Sequence, residues 1–332
     1  MTRTLLVVMF AVALTTVGYG QGTPIGQGIP VGGPLPDNSG FTEKLKDPKI
    51  VAEVKKQYVV RKVAGNVYIV AGGGGNVEIQ VGPDGILMVD DGYSVFYENI
   101  MEQIRKVSDK PIRMLFNTHS HPDHHQNNIE LAKQGTLIIT TPATRASQMQ
   151  QQNATGTGPY PREGLAVVTA AWPMSLYFNG EEISYIPLKT TETPGEIAMY
   201  FRSSDVWVFG DVFINQYTTV GVPFGGTVEN IIDNYDLALQ MTTPDTVFVA
   251  GHGQLQKRET IMAMRDAFTT VHARMLDMVK RGMTLEQVLE AKPSKEFDAR
   301  FAPENVRPNS PFTTTRWITQ MYNEAKGHMG KP

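Results

Sequence analysis

The chain has 332 residues, 41% hydrophobic and 19% charged, which excludes a disordered protein and supplies the core of one large domain or two ordinary ones. Lys and Arg number 30 against 33 Asp and Glu, a formal net charge of -3, so nothing in the charge calls for nucleic acid as a partner. Cysteine is absent, which excludes disulfides, thiolate metal ligands and a cysteine nucleophile; any metal must be held by His, Asp or Glu.

At the N-terminus Arg3 precedes the apolar run 5–14, and the small residues Gly18 and Gly20 follow it. This order reads as a secretory signal peptide over residues 1–20, cleaved after Gly20. The run is too short to span a bilayer, and no later segment is long and apolar enough to do so. The expectation is an exported protein, periplasmic or secreted, without a membrane span once mature. Residues 21–40, with Pro24, Pro30, Pro34 and Pro36, read as a Gly/Pro-rich flexible lead-in to a domain over 41–332.

Short β-branched runs at 58–60, 67–70, 77–81 and 86–89, split by glycine-containing turns, predict a strand meander. Ser94 is a predicted cap for a helix to Val107, with Ile100, Ile104 and Val107 on one face. Strands are predicted at 112–116 and 137–140, then a Gln- and Met-rich helix from about 143. Runs at 176–178, 183–188, 197–201 and 206–209 repeat the meander. A helix at 231–241, a strand at 246–250, a long amphipathic helix at 257–280 and helices at 285–289 and 317–325 complete the chain. Two β-then-α halves in succession predict a mixed α/β (α+β) fold, two sheets face to face with helices outside.

The chemistry concentrates after the predicted strand 112–116. His119, His121, His124 and His125 are four of the seven histidines in the chain, and Asp123 lies among them. Imidazoles and a carboxylate crowded this densely need a shared positive partner. In an extended stretch His119 and His121 point to the same side and can reach one ion. Pro122 then forces a turn, and Asp123 and His124 can aim at a second position beside the first. Two cations so placed can hold a hydroxide between them and polarise a substrate oxygen.

The His119-x-His121-x-Asp123-His124 run resembles the signature of the metallo-β-lactamase superfamily. Asp90 with Gly92, Thr193-Pro194-Gly195, Gly210-Asp211 and Gly251-His252-Gly253 resemble further motifs of that family, in its order. The resemblance implies a four-layer αββα sandwich. It implies that His119 and His121 bind one metal, that Asp123, His124 and His252 bind another, and that Asp211 bridges. It also implies that Asp90 orients a ligand through a hydrogen bond. Two divalent ions are expected, zinc first, with iron or manganese as alternatives, and Asp123 is the expected catalytic residue.

The chain departs from the family pattern at Glu192, which stands where the family has a third histidine. No histidine lies between His125 and His252, so Glu192 is the first candidate for the ligand and Glu196 the second. The segment 191–196 resembles that of the alkylsulfatase branch, where a glutamate serves at the metals. A further carboxylate weakens the metals as Lewis acids and shifts hydrolysis toward alkaline pH. Two histidines and one carboxylate also suit non-haem iron. His125 reads as an orienting residue or a spare proton carrier. Tyr217, in the loop after Asp211, is expected near the metals, where it contacts substrate or packs.

The reading is an exported dinuclear metallohydrolase acting on a small-molecule β-lactam, lactone or ester. Its rivals are an iron oxidoreductase on the same scaffold and a binding protein with a degraded first site.

Overall fold

The computed structural model describes residues 45–153, 156, 158–306 and 313–329. The expected signal peptide at 1–20 and lead-in at 21–40 lie outside the described residues. Among the described residues, no helix is long and apolar enough to cross a membrane.

The first sheet runs β1 (Val59–Ala64), β2 (Val67–Ala71), β3 (Val77–Gly82), β4 (Gly85–Val89), β5 (Ile112–Phe116), β6 (Leu137–Thr140) and β7 (Val168–Thr169), paired in that order. β1 to β4 form an antiparallel meander, and β4 to β7 are parallel. The second sheet contains β8 (Met174–Phe178), β9 (Glu181–Pro187), β10 (Ile197–Phe201), β11 (Val206–Val208), β12 (Val247–Val249) and β13 (Gln256–Lys257), also paired in chain order. Within it β11 and β12 are parallel. The helices are α1 (Pro48–Lys55), α2 (Tyr97–Arg105), α3 (Asn128–Lys133), α4 (Pro142–Met149), α5 (Val228–Met241), α6 (Arg258–Lys280), α7 (Leu285–Ala291), α8 (Lys295–Phe301), α9 (Pro303–Val306) and α10 (Thr314–Met329).

The core lies in three layers, as an αββα sandwich requires. Val67, Ile69, Leu87, Val89 and Phe116 of the first sheet meet Met199, Phe201, Val206, Val208 and Val249 of the second. The outer face of the first sheet, with Tyr68, Val70 and Met88, is covered by Ile100 and Ile104 of α2. Trp207, Phe209 and Phe248 on the outside of the second sheet lie under α5, α6 and α10, whose Tyr235, Phe268 and Trp317 complete an aromatic layer. Strands buried on both faces read as continuous apolar runs, which is why β4 and β10 stand out in the sequence.

Parallel neighbours need crossover connections, and here helices or helical turns supply them. This geometry matters for function. The chain leaves β4, β5, β11 and β12 at one end of the sandwich, carrying Asp90, residues 117–125, Asp211 and His252 there.

Two local expectations are revised. Ser94 does not cap a helix. It opens a single 3₁₀ turn over Ser94–Phe96 and turns its backbone N–H and hydroxyl to the Gln126 side chain; the helix proper ends at Arg105, short of Val107. The helices α1, α3, α8 and α9 and the two-residue strands β7 and β13 were not predicted. They are too short to show a period.

Candidate metal centre

The loop after β5 is held from three sides. Buried Asn117 donates to the His124 carbonyl at 3.2 Å and to the Asn128 side chain at 3.1 Å. The Thr118 backbone N–H and hydroxyl donate to the two Asp90 oxygens at 2.7 and 2.6 Å. The Thr118 carbonyl accepts from the Ile197 N–H of the second sheet at 2.9 Å. Asp90 adopts φ +55°, which a short polar side chain tolerates and which turns its carboxylate back under the loop. His121 stays extended, and Pro122–His124 form one 3₁₀ turn that swings Asp123 and His124 away from His121.

The hydrogen bonds fix the imidazole tautomers. The single Thr118 hydroxyl proton goes to Asp90, so at 2.9 Å the Thr118 oxygen accepts from Nδ1–H of His119. His124 donates Nδ1–H to Asp90 Oδ2 at 2.6 Å, and His252 donates Nδ1–H to the Gly74 carbonyl at 3.2 Å. In all three rings the Nε2 lone pair is left facing inward. His124 Nε2 and His252 Nε2 face each other at 3.4 Å, a repulsive arrangement for two lone pairs with no cation or proton between them.

Asp211 sits between these nitrogens. Its Oδ2 lies 3.5 Å from His119 Nε2 and 3.6 Å from His121 Nδ1. Its Oδ1 lies 3.3 Å from both His124 Nε2 and His252 Nε2. Asp123 Oδ2 is 3.3 Å from His252 Nε2 and 3.9 Å from His124 Nε2. Ligands held roughly 2.1 Å from a tetrahedral ion are themselves about 3.4 Å apart. The ligand atoms of His119, His121 and Asp211 form one group within 4.8 Å, and those of Asp123, His124 and His252 form another. His119 Nε2 and Asp211 Oδ1 are buried without hydrogen-bond partners. Orphaned, inward-facing N and O donors at this spacing fit a pair of divalent cations.

The electrostatics tell the same story. Burial pulls His121 down, but the Glu192, Asp211 and Asp123 carboxylates outweigh it and hold the ring up at about 9. Burial likewise opposes charge on His124, yet Asp211, Asp90 and Asp123 raise it well above its ordinary value; His252 is raised by Asp211 and Asp123. His119 is lowered to about 4, by burial and then by the neighbouring His124. Burial disfavours the Asp211 anion, but His252, His124 and His119 hold its carboxyl well below the usual range. The cluster is built to stabilise positive charge at its centre.

Tight backbone approaches complete it. Asn76 donates its side-chain amide to the carbonyls of Ala250 and Gly253 at 2.9 and 3.1 Å, which pins the His252 loop. A Cβ at Gly251 would come within 2.1 Å of Asp211 Oδ1, and one at Gly75 within 2.5 Å of the His124 ring. Thr118, Asn76, Gly74 and Gly75 were not singled out from the sequence. The signal that could have found the last two was the run of four glycines at 72–75.

The other expected residues fall in different places. Glu192 lies half-buried in the β9–β10 connection, close enough that His121 lowers and Asp211 raises its carboxyl; burial dominates and the net direction is up. It is outside the two compact ligand groups. Glu196, the alternative ligand, is corrected. Its carboxylate turns into its own loop, accepting from the Thr191, Glu192 and Thr193 N–H groups at 2.5, 3.1 and 3.2 Å and from the Thr191 hydroxyl. Of the two roles expected for Tyr217, the structure shows packing. Its ring stacks on Trp317 at 3.7 Å and its hydroxyl donates to Asp298 at 2.9 Å, in the outer helical layer. His125 donates Nε2–H to the Ser120 carbonyl at 3.1 Å and sits beside Tyr160 and Gln151, so it braces the loop.

Comparison with known proteins places this geometry in context. A family model described as the metallo-beta-lactamase superfamily matches residues 60–252, more than half of the chain. A linear primary-alkylsulfatase from Pseudomonas sp. is 24% identical over 257 residues, 63% of this chain and 48% of that protein. The chain thus spans about half the length of the curated relative it matches. Among solved structures, a stereoselective inverting sec-alkylsulfatase from Pseudomonas sp. superposes with TM-score 0.61 at 15% identity, over 89% of this chain and 58% of that one. A beta-lactamase domain protein from Burkholderia ambifaria gives TM-score 0.54 at 16% identity, covering 81% and 86%. At these identities the structural likeness shows the fold.

Proposed function

The chain belongs to the metallo-beta-lactamase superfamily, and from that premise we propose that it is an exported hydrolase that uses two divalent cations to cleave an ester-type small molecule. The observation that carries the reading is the inward Nε2 lone pairs of His119, His124 and His252 around the Asp211 carboxylate. Export rests on the charged, apolar and small-residue order of residues 1–20.

In this reading His119, His121 and Glu192 would hold one cation and Asp123, His124 and His252 the other, with the Asp211 carboxylate available to either group. When bound, the pair supplies Lewis acidity that polarises a substrate oxygen and acidifies water. The protein's own residues do the rest. Asp90, bonded to His124 and Thr118, keeps two imidazoles aimed. Asp123 offers its carboxylate beside His252 and is the residue assigned to orient the attacking water and accept its proton. Glu192 adds a carboxylate where a neutral imidazole would serve in the family pattern, so the reaction runs best at alkaline pH.

Zinc is the expected metal, with iron and manganese as alternatives for the His-His-carboxylate group. Of β-lactams, lactones and esters, sulfate esters have the most direct support, because two of the relatives are named as alkylsulfatases.

The test is elemental analysis of protein purified without added metal, together with a panel of β-lactam, lactone, phosphodiester and sulfate ester substrates. The proposal expects two equivalents of metal and turnover of an ester class, with both metal and turnover lost in Asp211→Asn while the circular dichroism spectrum is unchanged. Full turnover in the metal-stripped protein would refute it.

A further inference from the structure

In the β9–β10 connection the buried Glu196 carboxylate gathers the backbone N–H groups of three successive residues. Thr191 donates to one oxygen at 2.5 Å, and Glu192 and Thr193 donate to the other at 3.1 and 3.2 Å. The Thr191 hydroxyl lies 2.9 Å from both oxygens. The middle residue of the three is Glu192. We propose that Glu196 is a positioning residue for the metal centre, its carboxylate setting the backbone of Glu192 so that the Glu192 side chain lies toward His121. The role rests on the reading of Glu192 as a cation ligand.

Glu192 is fixed from both sides of its chain. The N–H groups of residues 191–193 are all taken by Glu196. On the carbonyl side, Gly221 donates to the Thr191 carbonyl at 2.7 Å, and a Cβ at Gly221 would come within 2.3 Å of the Glu192 carbonyl. With the backbone held, only the Glu192 side chain is left to turn. Its carboxylate lies in the field of His121, Asp211 and His252, with the Thr219 hydroxyl bonded to it. The turn that sends Glu196 back onto 191–193 is anchored in its own right. The Gly195 carbonyl accepts from the Thr141 and Thr144 hydroxyls at 2.8 Å each, and Gly195 adopts φ +86°, which favours glycine. The same segment is tied to the histidines. Ile197, the residue after Glu196 and the first of β10, donates to the Thr118 carbonyl beside His119 at 2.9 Å. Glutamine has the shape of glutamate but cannot replace it here. Its amide nitrogen would set a donor against N–H donors where a carboxylate oxygen accepts. Residues that aim a metal ligand are typically worth about 10–100-fold in metal affinity.

The test measures zinc affinity in the full chain by competition with a chromophoric chelator, for wild type, Glu196→Gln, Glu192→Gln and the double variant. Glu196→Gln is expected to weaken one of the two zinc equivalents by about 10–100-fold and to leave the other as in wild type. Glu192→Gln is expected to weaken that same equivalent, and the double variant to bind no more weakly than Glu192→Gln alone, because Glu196 acts only through Glu192. A further loss in the double variant would mean that Glu196 merely stabilises the fold, and would overturn the positioning role. If Glu192→Gln weakens an equivalent that Glu196→Gln leaves intact, the positioning role is overturned while Glu192 stands as a ligand. If Glu192→Gln leaves both equivalents intact, the ligand reading falls and the positioning role falls with it. Thr191→Val removes the hydroxyl bond to Glu196 and keeps all three N–H groups, so it should fold even where Glu196→Gln does not. It is expected to weaken the same equivalent several-fold, and unchanged affinity in that variant would overturn the role.

Discussion

At the scale of single residues, the candidate metal centre is a set of side chains whose outer atoms are already committed. Asp90 accepts from Thr118 and His124, and Gly74 from His252, so the atoms left over point inward. Glu192 is the residue proposed to stand in for a metal histidine of the family, and its effect can be tested directly. Glu192→His should raise zinc occupancy of the His119–His121 group and shift the pH optimum of hydrolysis downward, measured by elemental analysis and rate–pH profiles. If neither changes, Glu192 is not a ligand. His125 makes a second prediction. Burial lowers its imidazole from 6.5 to about 4, so the native state refuses a proton that the unfolded chain binds between those values. Stability from this residue is complete above pH 6.5 and declines as pH falls toward about 4, by roughly 3 kcal/mol. Urea unfolding in the presence of a chelator should show that acid decline, and His125→Gln should flatten it. Equal slopes for the two proteins would contradict the assignment.

At the scale of elements, the site depends on loops that come closer than side chains normally allow. Gly75 in the β2–β3 turn lies against His124, which Asp90 clamps from the other side at 2.6 Å and which therefore cannot yield. Gly75→Ala should push the ring off its position, empty the Asp123–His124–His252 group and cost about 1–3 kcal/mol from overpacking. Elemental analysis would then find close to half the wild-type metal; a full complement would show that the contact is soft. This is also where sequence reading reached its limit. The histidine run was legible because it is local, whereas Asp211 and His252 were reached only through the resemblance of Gly210-Asp211 and Gly251-His252-Gly253 to family motifs; the structure brings both to the histidines. Thr118, Asn76 and Gly75 act on residues far away in the chain, and no spacing records that. For Tyr217 the sequence leaves substrate contact and packing both open, because the residues that hold its side chain, Asp298 and Trp317, lie far along the chain. After the single 3₁₀ turn at Gly210–Val212, the chain crosses to the outer layer and buries Tyr217 on Trp317. Glu196 was considered as a ligand because its role in knitting 191–196 depends on backbone N–H groups, which a side-chain pattern does not show.

At the scale of the whole molecule, the sandwich was legible as two β-then-α halves, since long runs buried on both faces leave an unmistakable pattern; only its shortest strands and helices escaped. The candidate ligands come from both sheets: His119, His121, Asp123 and His124 follow a strand of the first, Asp211 and His252 follow strands of the second. Cations at the centre should therefore fasten one sheet to the other. Ligand present at a thousand times its Kd stabilises by about 4 kcal/mol, which for a domain of this size is a shift in Tm of roughly 10 °C. Chelation should lower the melting temperature by about that much, and zinc should restore it. An unchanged Tm would mean that the cluster holds no tightly bound ion. The most direct test of the account is anomalous X-ray diffraction from crystals of protein purified without added metal, collected at the absorption edge of the metal found by elemental analysis. The account predicts two peaks flanking Asp211, one within bonding distance of His119, His121 and Glu192 and the other of Asp123, His124 and His252. No peak among these side chains would contradict it.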